Sequence, residues 1–288
     1  MRLPVLALAF LVFGCAEQPP PDPSAPEAPE APLVATDTVR TDWARFFEAE
    51  QAVGTIVVYD AATGQTQRTN PDRADERFAP ASSFKVYNSL VALETGVVPN
   101  VDTVYAWDGV ERGGAWDQDH SMRLAMRNST LWLYQELARE IGRDRYDAAF
   151  AREPYGNNAL GDSIDAFWLG EPLKISANEQ VAYLDQLRQG ALAFRPEVQA
   201  DVRGIMVLED TDAYTLYGKT GWTWTEDDRS DEIGWLVGWI EHGDGAHVYA
   251  LNVTPNGPDF DMRRARLGIL HAVLDALGLR SLDPATGD

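Results

Sequence analysis

The chain has 288 residues, of which 45% are hydrophobic and 24% are charged, as in an ordinary globular protein of one or two domains. Its 45 acidic residues exceed its 24 basic residues, and the net charge of −21 argues against nucleic acid or an anionic membrane surface as a partner. No apolar run reaches the roughly eighteen residues of a transmembrane helix. The single cysteine leaves no intramolecular disulfide and no cysteine-based zinc site, and the four histidines lack metal-ligand spacing, so no metal cofactor is expected.

Residues 1–14 form a predicted export signal. Arg2 is followed by an apolar run, Leu3–Phe13, which has the length of a signal-peptide core and is too short to span a bilayer. The run ends at Val12-Phe13-Gly14-Cys15, which resembles a bacterial lipobox although Phe13 is bulkier than the usual residue, so Cys15 is predicted to carry a lipid. A plain secretory signal is the alternative. The signal and Cys15 predict an exported, periplasmic protein whose only membrane contact is a lipid anchor, and Ala16 after the cysteine, in place of Asp, favours the outer membrane.

The rest of the chain divides into a tether and a folded domain. Residues 15–36 are dominated by Pro, Ala and Glu and predict an extended tether, whereas residues 37–288 form the domain. Its patterns predict a strand at 54–60, helices at 84–94, 130–141, 143–152, 176–190 and 196–208, strands at 213–220, 232–241 and 246–253, and a helix at 261–277. This order predicts an α+β fold, in which an antiparallel sheet is flanked by helices and interrupted by an inserted all-helical subdomain at roughly 79–209.

Ser82 and Lys85 form a Ser-x-x-Lys motif at the start of the first predicted helix. A spacing of three residues places both side chains on one face of a helix, within contact. A serine hydroxyl is a weak nucleophile until a neighbouring base takes its proton, and a lysine becomes such a base when burial or neighbours lower its pKa. The pair therefore indicates nucleophilic catalysis, although the motif alone more often marks an N-cap serine and a solvated lysine.

Lys219-Thr220-Gly221 lies at the end of the strand predicted for residues 213–220. The chain contains only three lysines, so a Lys-Thr-Gly triplet by chance has an expectation of roughly 0.01. At a strand edge the lysine offers a fixed cation, the threonine offers a hydroxyl, and the glycine lets a ligand lie against the backbone. A turn that closes a hairpin is the alternative interpretation.

Together the two motifs resemble those of the penicillin-recognising serine enzymes, and further segments narrow the resemblance to the class D β-lactamases, the oxacillinases. Pro80-Ala81-Ser82-Ser83-Phe84-Lys85 is similar to the first motif of that family, with Ser83 where Thr is often found. The other similar segments follow in the family's order: Ser129-Thr130-Leu131, Tyr155-Gly156-Asn157, Phe167-Trp168-Leu169, Lys219-Thr220-Gly221-Trp222 and Gly234-Trp235-Leu236-Val237-Gly238-Trp239. The resemblance covers roughly residues 38–280.

This resemblance implies a small-molecule β-lactam substrate and a catalytic role for four residues. Ser82 attacks the β-lactam carbonyl, and Lys85, carboxylated by CO2 to N6-carboxylysine, acts as the general base. Ser129 passes a proton to the departing ring nitrogen, and Lys219 acts electrostatically on Ser129 and on the substrate carboxylate. No cofactor other than CO2 is implied.

The resemblance also implies which residues surround these four. The environment of the carbamate consists of Phe84, Leu131, Trp168 and Leu169, with the Trp168 N–H as donor to the carbamate. Leu131 departs from the valine of the family, and its larger side chain could keep the carbamate drier or crowd it. Substrate is bound by Thr220, Gly221, Trp222 and an arginine that opens the last helix, for which Arg264 fits best and Arg263 is the alternative. The backbone N–H groups of Ser82 and Trp222 form the oxyanion hole.

The sequence thus predicts a serine β-lactamase that confers β-lactam resistance. A β-lactam-sensing domain that is acylated without turnover is the alternative, but such domains normally belong to receptors with several membrane spans. A small peptidoglycan D,D-peptidase is a third interpretation, which the Tyr155-Gly156-Asn157 and Phe167-Trp168-Leu169 segments disfavour. The sequence gives no expectation for the oligomeric state or for which β-lactams are hydrolysed.

Overall fold

The computed structural model describes residues 36–243 and 245–280. The predicted signal peptide, Cys15 and the tether up to residue 35 lie outside the described residues. The strands are β1 Asp37–Val39, β2 Ala52–Asp60, β3 Thr66–Arg68, β4 Val104–Tyr105, β5 His120–Ser121, β6 Val207–Asp210, β7 Tyr214–Thr223, β8 Ile233–His242 and β9 Gly245–Pro255. The helices are α1 Ala44–Ala49, α2 Pro71–Asp75, α3 Lys85–Glu94, α4 Met122–Asn128, α5 Leu131–Ile141, α6 Arg143–Arg152, α7 Ala177–Gln189, α8 Pro196–Gly204 and α9 Met262–Ala276, with 3-10 turns at Thr41–Trp43, Ala81–Phe84 and Gly114–Trp116.

A seven-stranded sheet with the order β1-β3-β2-β9-β8-β7-β6 organises the fold. Its neighbouring strands are antiparallel, except that β1 runs parallel to β3 at one edge. The helical block α2–α8, with the small β4–β5 hairpin inside it, is inserted between β3 and β6. The predicted α+β fold, an antiparallel sheet flanked by helices with a helical insertion, is confirmed apart from the one parallel pair.

Both faces of the sheet are apolar because successive residues of its central strands alternate between two buried clusters. Val57, Trp235 and Val237 belong to the cluster on the side of the helical block, whereas Ile56 and Leu236 belong to the cluster formed with α1 and α9. Helices on both faces bury the middle of a sheet completely. The first eight residues of β8 are accordingly buried without interruption, which gives its neighbour β7 a rigid support.

One predicted helix ends earlier than expected. The helix predicted for 196–208 ends at Gly204, because Val207–Asp210 leave the helix and pair with β7 as the edge strand β6. The other predicted helices and strands are present with ends shifted by a few residues at most. The shortest elements, such as β1, β3 and α1, had no prediction because three to six residues do not show a hydrophobic period.

The open part of β7 determines where the 3-10 turn Ala81–Phe84 packs. β6 pairs with β7 only as far as Tyr217, so the edge beyond it is free to receive the turn. A Cβ on Gly221 would lie 2.7 Å from the Pro80 carbonyl oxygen and 3.2 Å from the Ser83 nitrogen. Only glycine permits this approach, which brings the Ser82 turn against the Lys219-Thr220-Gly221 segment.

Among the helices of the described residues, none has the length and apolar character that a membrane span requires.

Candidate active site

Ser82 and Lys85 meet where the 3-10 turn runs into α3. Lys85 Nζ lies 2.8 Å from Ser82 Oγ, and Lys85 is only 1% exposed. Burial lowers the pKa of Lys85 to about 7, because the ammonium form loses its hydration. At neutral pH about half of such amines are uncharged and able to accept a proton. The structure therefore brings the predicted nucleophile and base into contact and excludes the solvated-lysine alternative.

The backbone before Ser82 is held in an unusual conformation. Ala81 has a φ of 50°, in the left-handed region that non-glycine residues rarely adopt, and its N–H donates to the Trp168 carbonyl at 2.9 Å. Ser83 Oγ donates to the Pro80 carbonyl at 2.7 Å. Backbone strain of this kind persists only where the surrounding contacts impose it, and it is concentrated at functional sites.

Ser129 and Lys219 form the second polar pair of the site. Ser129 links α4 to the following helix in a left-handed conformation, with φ 53° and ψ 36°. Lys219, on β7 and 3% exposed, donates from Nζ to Ser129 Oγ at 3.0 Å and to the Thr220 carbonyl at 2.9 Å. Burial lowers the pKa of Lys219 well below its usual value, and the neighbouring charges of Lys85 and Arg266 lower it further. All four residues predicted to be catalytic are thus joined in two hydrogen-bonded pairs.

Aromatic side chains bury the predicted carbamate environment. Trp168 is 1% exposed and stacks on Phe84, with ring centroids 5.5 Å apart, while Leu131 and Leu169 pack against the same core cluster. The Trp168 Nε1–H is buried and has no hydrogen-bond partner. A buried donor without an acceptor is costly and uncommon, so this N–H is available to an acceptor bound beside it.

The three predicted substrate-binding residues of β7 differ in what their side chains do. Thr220 Oγ1 lies 3.3 Å from Lys219 Nζ, and Gly221 provides the close approach to the Ser82 turn. The Trp222 side chain packs against the cluster on the α9 side of the sheet and donates from Nε1 to Glu232 at 2.7 Å. Its indole is therefore committed to the far side of β7, and only its backbone lies on the strand edge that faces the turn.

The expectation for the arginine of the last helix requires a correction. The Arg264 side chain is 57% exposed and pairs with Glu50 at 2.9 Å, away from the lysines, because its position on α9 faces α1. Arg263 is exposed as well. Arg266, two residues further along α9, is 5% exposed and donates from Nη1 to the carbonyl of Gly221. The structure thus brings Arg266 to the Lys-Thr-Gly segment in place of the predicted Arg264.

Sequence reasoning did not single out Gln180, which connects two of the motifs. It is buried on α7, and its Nε2 lies 3.0 Å from both Ser83 Oγ and the Tyr155 hydroxyl. The sequence signal was that Gln180 lies at helical spacing from Ala177, Leu184 and Leu187, which are buried on the same helix. A polar residue on an apolar face indicates a buried hydrogen-bond partner.

Other features of the described residues offer no competing catalytic centre. A groove of ≈ 470 Å³ lies between the β1–β3 edge and α7, and its lining residues include no serine or lysine. Within residues 36–243 and 245–280, no group of three or more His, Cys, Asp or Glu residues could hold a metal ion. The chemistry of the described chain is therefore concentrated at the two Ser–Lys pairs.

Comparisons with known proteins identify the family of this chain. Residues 54–275 match the penicillin binding protein transpeptidase domain. The chain is 38% identical to β-lactamase OXA-15 of Pseudomonas aeruginosa over 250 residues, which covers 85% of this chain and 88% of that protein. The structure superposes on the class D β-lactamase FUS-1 (OXA-85) of Fusobacterium nucleatum subsp. polymorphum with a TM-score of 0.78 at 39% identity, covering 85% of this chain and 100% of the other.

A second solved structure, the class D β-lactamase YbXI from Nostoc, is 38% identical with a TM-score of 0.78, covering 82% of this chain and 98% of the other. The family match spans residues 54–275, a range that includes the helical block, most of the sheet and all the segments from Ser82 to Trp239. Sequence, fold and the paired Ser–Lys geometry lead to one assignment: the chain belongs to the class D β-lactamases, serine hydrolases that act on the cyclic amide of β-lactams.

Proposed function

We propose that this protein hydrolyses β-lactams through an acyl-enzyme on Ser82, with carboxylated Lys85 as the general base. The observation that carries the proposal is the contact of 2.8 Å between Ser82 Oγ and a buried Lys85 amine whose pKa is about 7. Carboxylation requires the unprotonated amine, because only the neutral form has a lone pair that can combine with CO2.

In the acylation step, the oxygen of Ser82 forms a bond to the β-lactam carbonyl carbon as its proton passes to the base at Lys85. The carbon–nitrogen bond of the ring then breaks. Ser129 donates its hydroxyl proton to the departing nitrogen, and the hydrogen bond from Lys219 Nζ stabilises the Ser129 oxygen as that proton leaves. The base at Lys85 gives its proton back to Ser129, which restores both groups. It then takes a proton from the water molecule that attacks the ester, and Ser82 regains its proton as the ring-opened acid leaves.

The surroundings of Lys85 support carboxylation. Carbamate formation joins the lysine nitrogen to the carbon of CO2 and releases one proton, and it turns a cation into a carboxylate-like base suited to activating water. A buried anion needs hydrogen-bond donors. Trp168 offers a buried N–H without a partner, and Ser82 offers a hydroxyl within contact distance. Phe84 and Leu169 belong to the apolar cluster that would keep water away.

The substrate carboxylate is proposed to bind between Thr220 and Arg266. Arg266 reaches the Gly221 carbonyl, and burial lowers its pKa to about 10, which still leaves it fully charged at neutral pH. A buried guanidinium that donates to backbone carbonyls alone lacks an anionic partner, so the substrate carboxylate would supply one.

Nitrocefin and mass spectrometry test the acyl-enzyme. We expect sustained turnover by the purified protein, and a slow β-lactam should add its mass to the peptide that contains Ser82. The Ser82→Ala protein should lose at least about 10³-fold in kcat and form no adduct. A single stoichiometric burst without turnover would identify a sensing domain instead, and an adduct on Ser83 or Ser129 would refute the choice of nucleophile.

Carbon-13 NMR with labelled bicarbonate tests the carbamate without relying on activity. We expect a carbamate signal from the wild type that is absent from Lys85→Ala. Trp168→Phe keeps the ring and removes the N–H, so it should require more bicarbonate to reach the same signal. Trp239→Phe is the matched control, because Trp239 is also fully buried but lies on β8 and stacks on Tyr217. A signal that survives Lys85→Ala would contradict the proposal.

We also propose that the protein is exported, is held at the membrane by a lipid anchor, and confers β-lactam resistance. The support is sequence-based: the lipobox-like segment that ends at Cys15, the Pro-rich tether that follows it, and the similarity to named β-lactamases. An enzyme tethered to the periplasmic side of the outer membrane would hydrolyse the antibiotic before it reaches its targets.

A further inference from the structure

Side-chain contacts that no motif predicted hold the backbone around Ser129. Its left-handed backbone is adopted without glycine, so surrounding contacts must impose it. Three side-chain contacts from the segment 116–120 and its neighbours reach this turn. Trp116 Nε1 donates to the Asn128 carbonyl at 3.0 Å, and Trp132 Nε1 donates to the Trp116 carbonyl at 3.0 Å. The third contact joins His120 to Thr130, the residue directly after Ser129.

His120 is completely buried and uses both ring nitrogens. Nδ1 lies 2.8 Å from the Gln118 carbonyl, which can only accept, so Nδ1 carries the hydrogen. In the neutral imidazole Nε2 is then an acceptor, and Thr130 Oγ1 donates to it at 2.9 Å. Trp132 packs edge-on against the ring, with centroids 5.6 Å apart. The imidazole is therefore fixed in position and in tautomer.

The Thr130 hydroxyl does not cap α5, although Thr130 lies at its N-terminus. Thr130 is the N-cap residue of α5, where a threonine side chain ordinarily accepts from a backbone N–H of the first turn. It makes no such capping bond here, and its hydroxyl is instead directed to His120. Thr130 thus occupies the N-cap position but does not cap the helix. Its bond to His120 orients the turn and does not stabilise the helix end.

We propose that His120, through Thr130, is a positioning residue that holds Ser129 Oγ in register with Lys219 Nζ for proton transfer to the departing nitrogen. The inference rests on the proposed function of Ser129. Ser129 precedes Thr130 directly, so fixing the Thr130 side chain on the imidazole limits rotation of the turn. The contact of 3.0 Å between Lys219 and Ser129 depends on that turn. Loss of the bond between His120 and Thr130 should therefore slow acylation, which uses Ser129. It should leave the rate of deacylation, which uses Lys85, nearly unchanged.

Four variants test this by pre-steady-state kinetics with nitrocefin, which separates the acylation and deacylation rates. Thr130→Val keeps the shape and removes the hydroxyl, and His120→Phe keeps the ring and removes the acceptor. We expect each to slow acylation about tenfold, the usual effect of one net hydrogen bond, with deacylation changed less than about twofold. Thr130→Ser and His120→Gln, which retain a donor and an acceptor, should recover most of the loss.

Double mutants distinguish positioning from a merely structural role. Thr130→Val and His120→Phe remove the same bond, so their effects on acylation should not add. Neither should slow acylation further in a Ser129→Ala background. Equal losses in acylation and deacylation, or additive effects with Ser129→Ala, would overturn the inference. If His120→Phe does not fold, the Thr130→Val and Thr130→Ser pair decides by itself.

The outcomes also separate this inference from the proposed function. A wild-type protein that forms no acyl-enzyme would overturn both. A Ser129→Ala protein that acylates at the wild-type rate would refute the proton-transfer role of Ser129 and the inference with it. Normal wild-type turnover with slow Ser129→Ala and unaffected Thr130→Val would overturn the positioning role alone.

Discussion

Lys85 and Lys219 lie close enough that the charge of Lys85 lowers the pKa of Lys219. Two buried ammonium groups in one site repel each other and lack hydration, so the site favours losing at least one of the charges. Carboxylation of Lys85 would replace that repulsion by attraction, and Lys219 would then retain its proton more readily. The proposed carbamate thus satisfies the electrostatics of both lysines, which explains how a site with Arg266 nearby tolerates a second buried cation.

The lowered pKa of Lys85 predicts a specific dependence of activity on pH and CO2. Below pH 7 most of the amine is protonated and cannot combine with CO2, so less of the carbamate base forms. We expect activity to fall on the acid side with an apparent pKa near 7, and bicarbonate to restore it most strongly below that pH. Steady-state rates in degassed and bicarbonate-supplemented buffers between pH 5.5 and 8 measure this. Activity indifferent to CO2 throughout that range would refute a carboxylated base.

Substitutions of Arg264 and Arg266, two of the three arginines of α9, should have opposite results. Arg266→Ala should lower kcat/KM about 10- to 100-fold, mainly through KM, because a buried charge-assisted bond to the substrate carboxylate is worth about 1.5–3 kcal/mol. Arg264→Ala is the matched control on the same helix, and because its ion pair with Glu50 is exposed, kcat/KM should change less than about twofold. Steady-state kinetics with benzylpenicillin measure both. A larger loss from Arg264→Ala would restore the original sequence prediction.

At the scale of elements, the site depends on how closely β7 approaches the 3-10 turn Ala81–Phe84. The two pairs, Ser82–Lys85 and Ser129–Lys219, come from the turn with the first residue of α3, the α4–α5 junction and β7, so their alignment depends on this contact. β7 is supported by ten residue pairs with β8, whereas the turn has no sheet partner. A disturbance at the contact should therefore move the turn rather than the strand.

Gly221→Ala tests this contact. The added Cβ would lie 2.7 Å from the Pro80 carbonyl oxygen, so the turn must shift, at a cost of about 1–3 kcal/mol in the free energy of unfolding. Acylation should slow as Ser82 leaves its position. Gly204→Ala is the control, since a Cβ there meets nothing within 4 Å and should leave stability and rates nearly unchanged. Urea unfolding and nitrocefin kinetics measure both variants, and wild-type acylation by Gly221→Ala would contradict the argument.

At the scale of the whole molecule, the acidic balance and the N-terminal segment predict where the enzyme works. A net charge of −21 keeps the protein away from anionic surfaces, so retention at a membrane requires an anchor of another kind. Lipidation of Cys15 would supply one, since buried acyl chains contribute about 0.8 kcal/mol per CH2 group.

Fractionation of cells tests the anchor. We expect the wild-type protein to sediment with outer membranes, and a Cys15→Ala protein to lose that retention because its cysteine can no longer be acylated. Full nitrocefin hydrolysis by Cys15→Ala is the internal control that the folded domain is unchanged. Wild-type protein recovered entirely in the periplasmic fraction would indicate an ordinary signal peptide.

The sequence by itself determined the class of fold and the family, and it predicted the residues of the site. Hydrophobic periods are local, so the long elements β2, α3, α7 and β9 could be predicted from the residues that form them. The Ser82–Lys85 contact is also local, because a spacing of three residues at a helix start fixes it. The Lys-Thr-Gly motif singled out Lys219, and the family resemblance then supplied Ser129. The two residues lie 90 positions apart and meet only in the folded protein.

Tertiary structure alone decided which arginine reaches the site and what holds the serines in place. Arg263, Arg264 and Arg266 look alike in sequence, and only the packing of α9 turns Arg266 towards Gly221 and Arg264 towards Glu50. The bonds of His120 with Thr130 and of Gln180 with Ser83 likewise join different elements. A side chain's direction and partners depend on how elements pack, and local propensity carries no information about a partner that is distant in sequence.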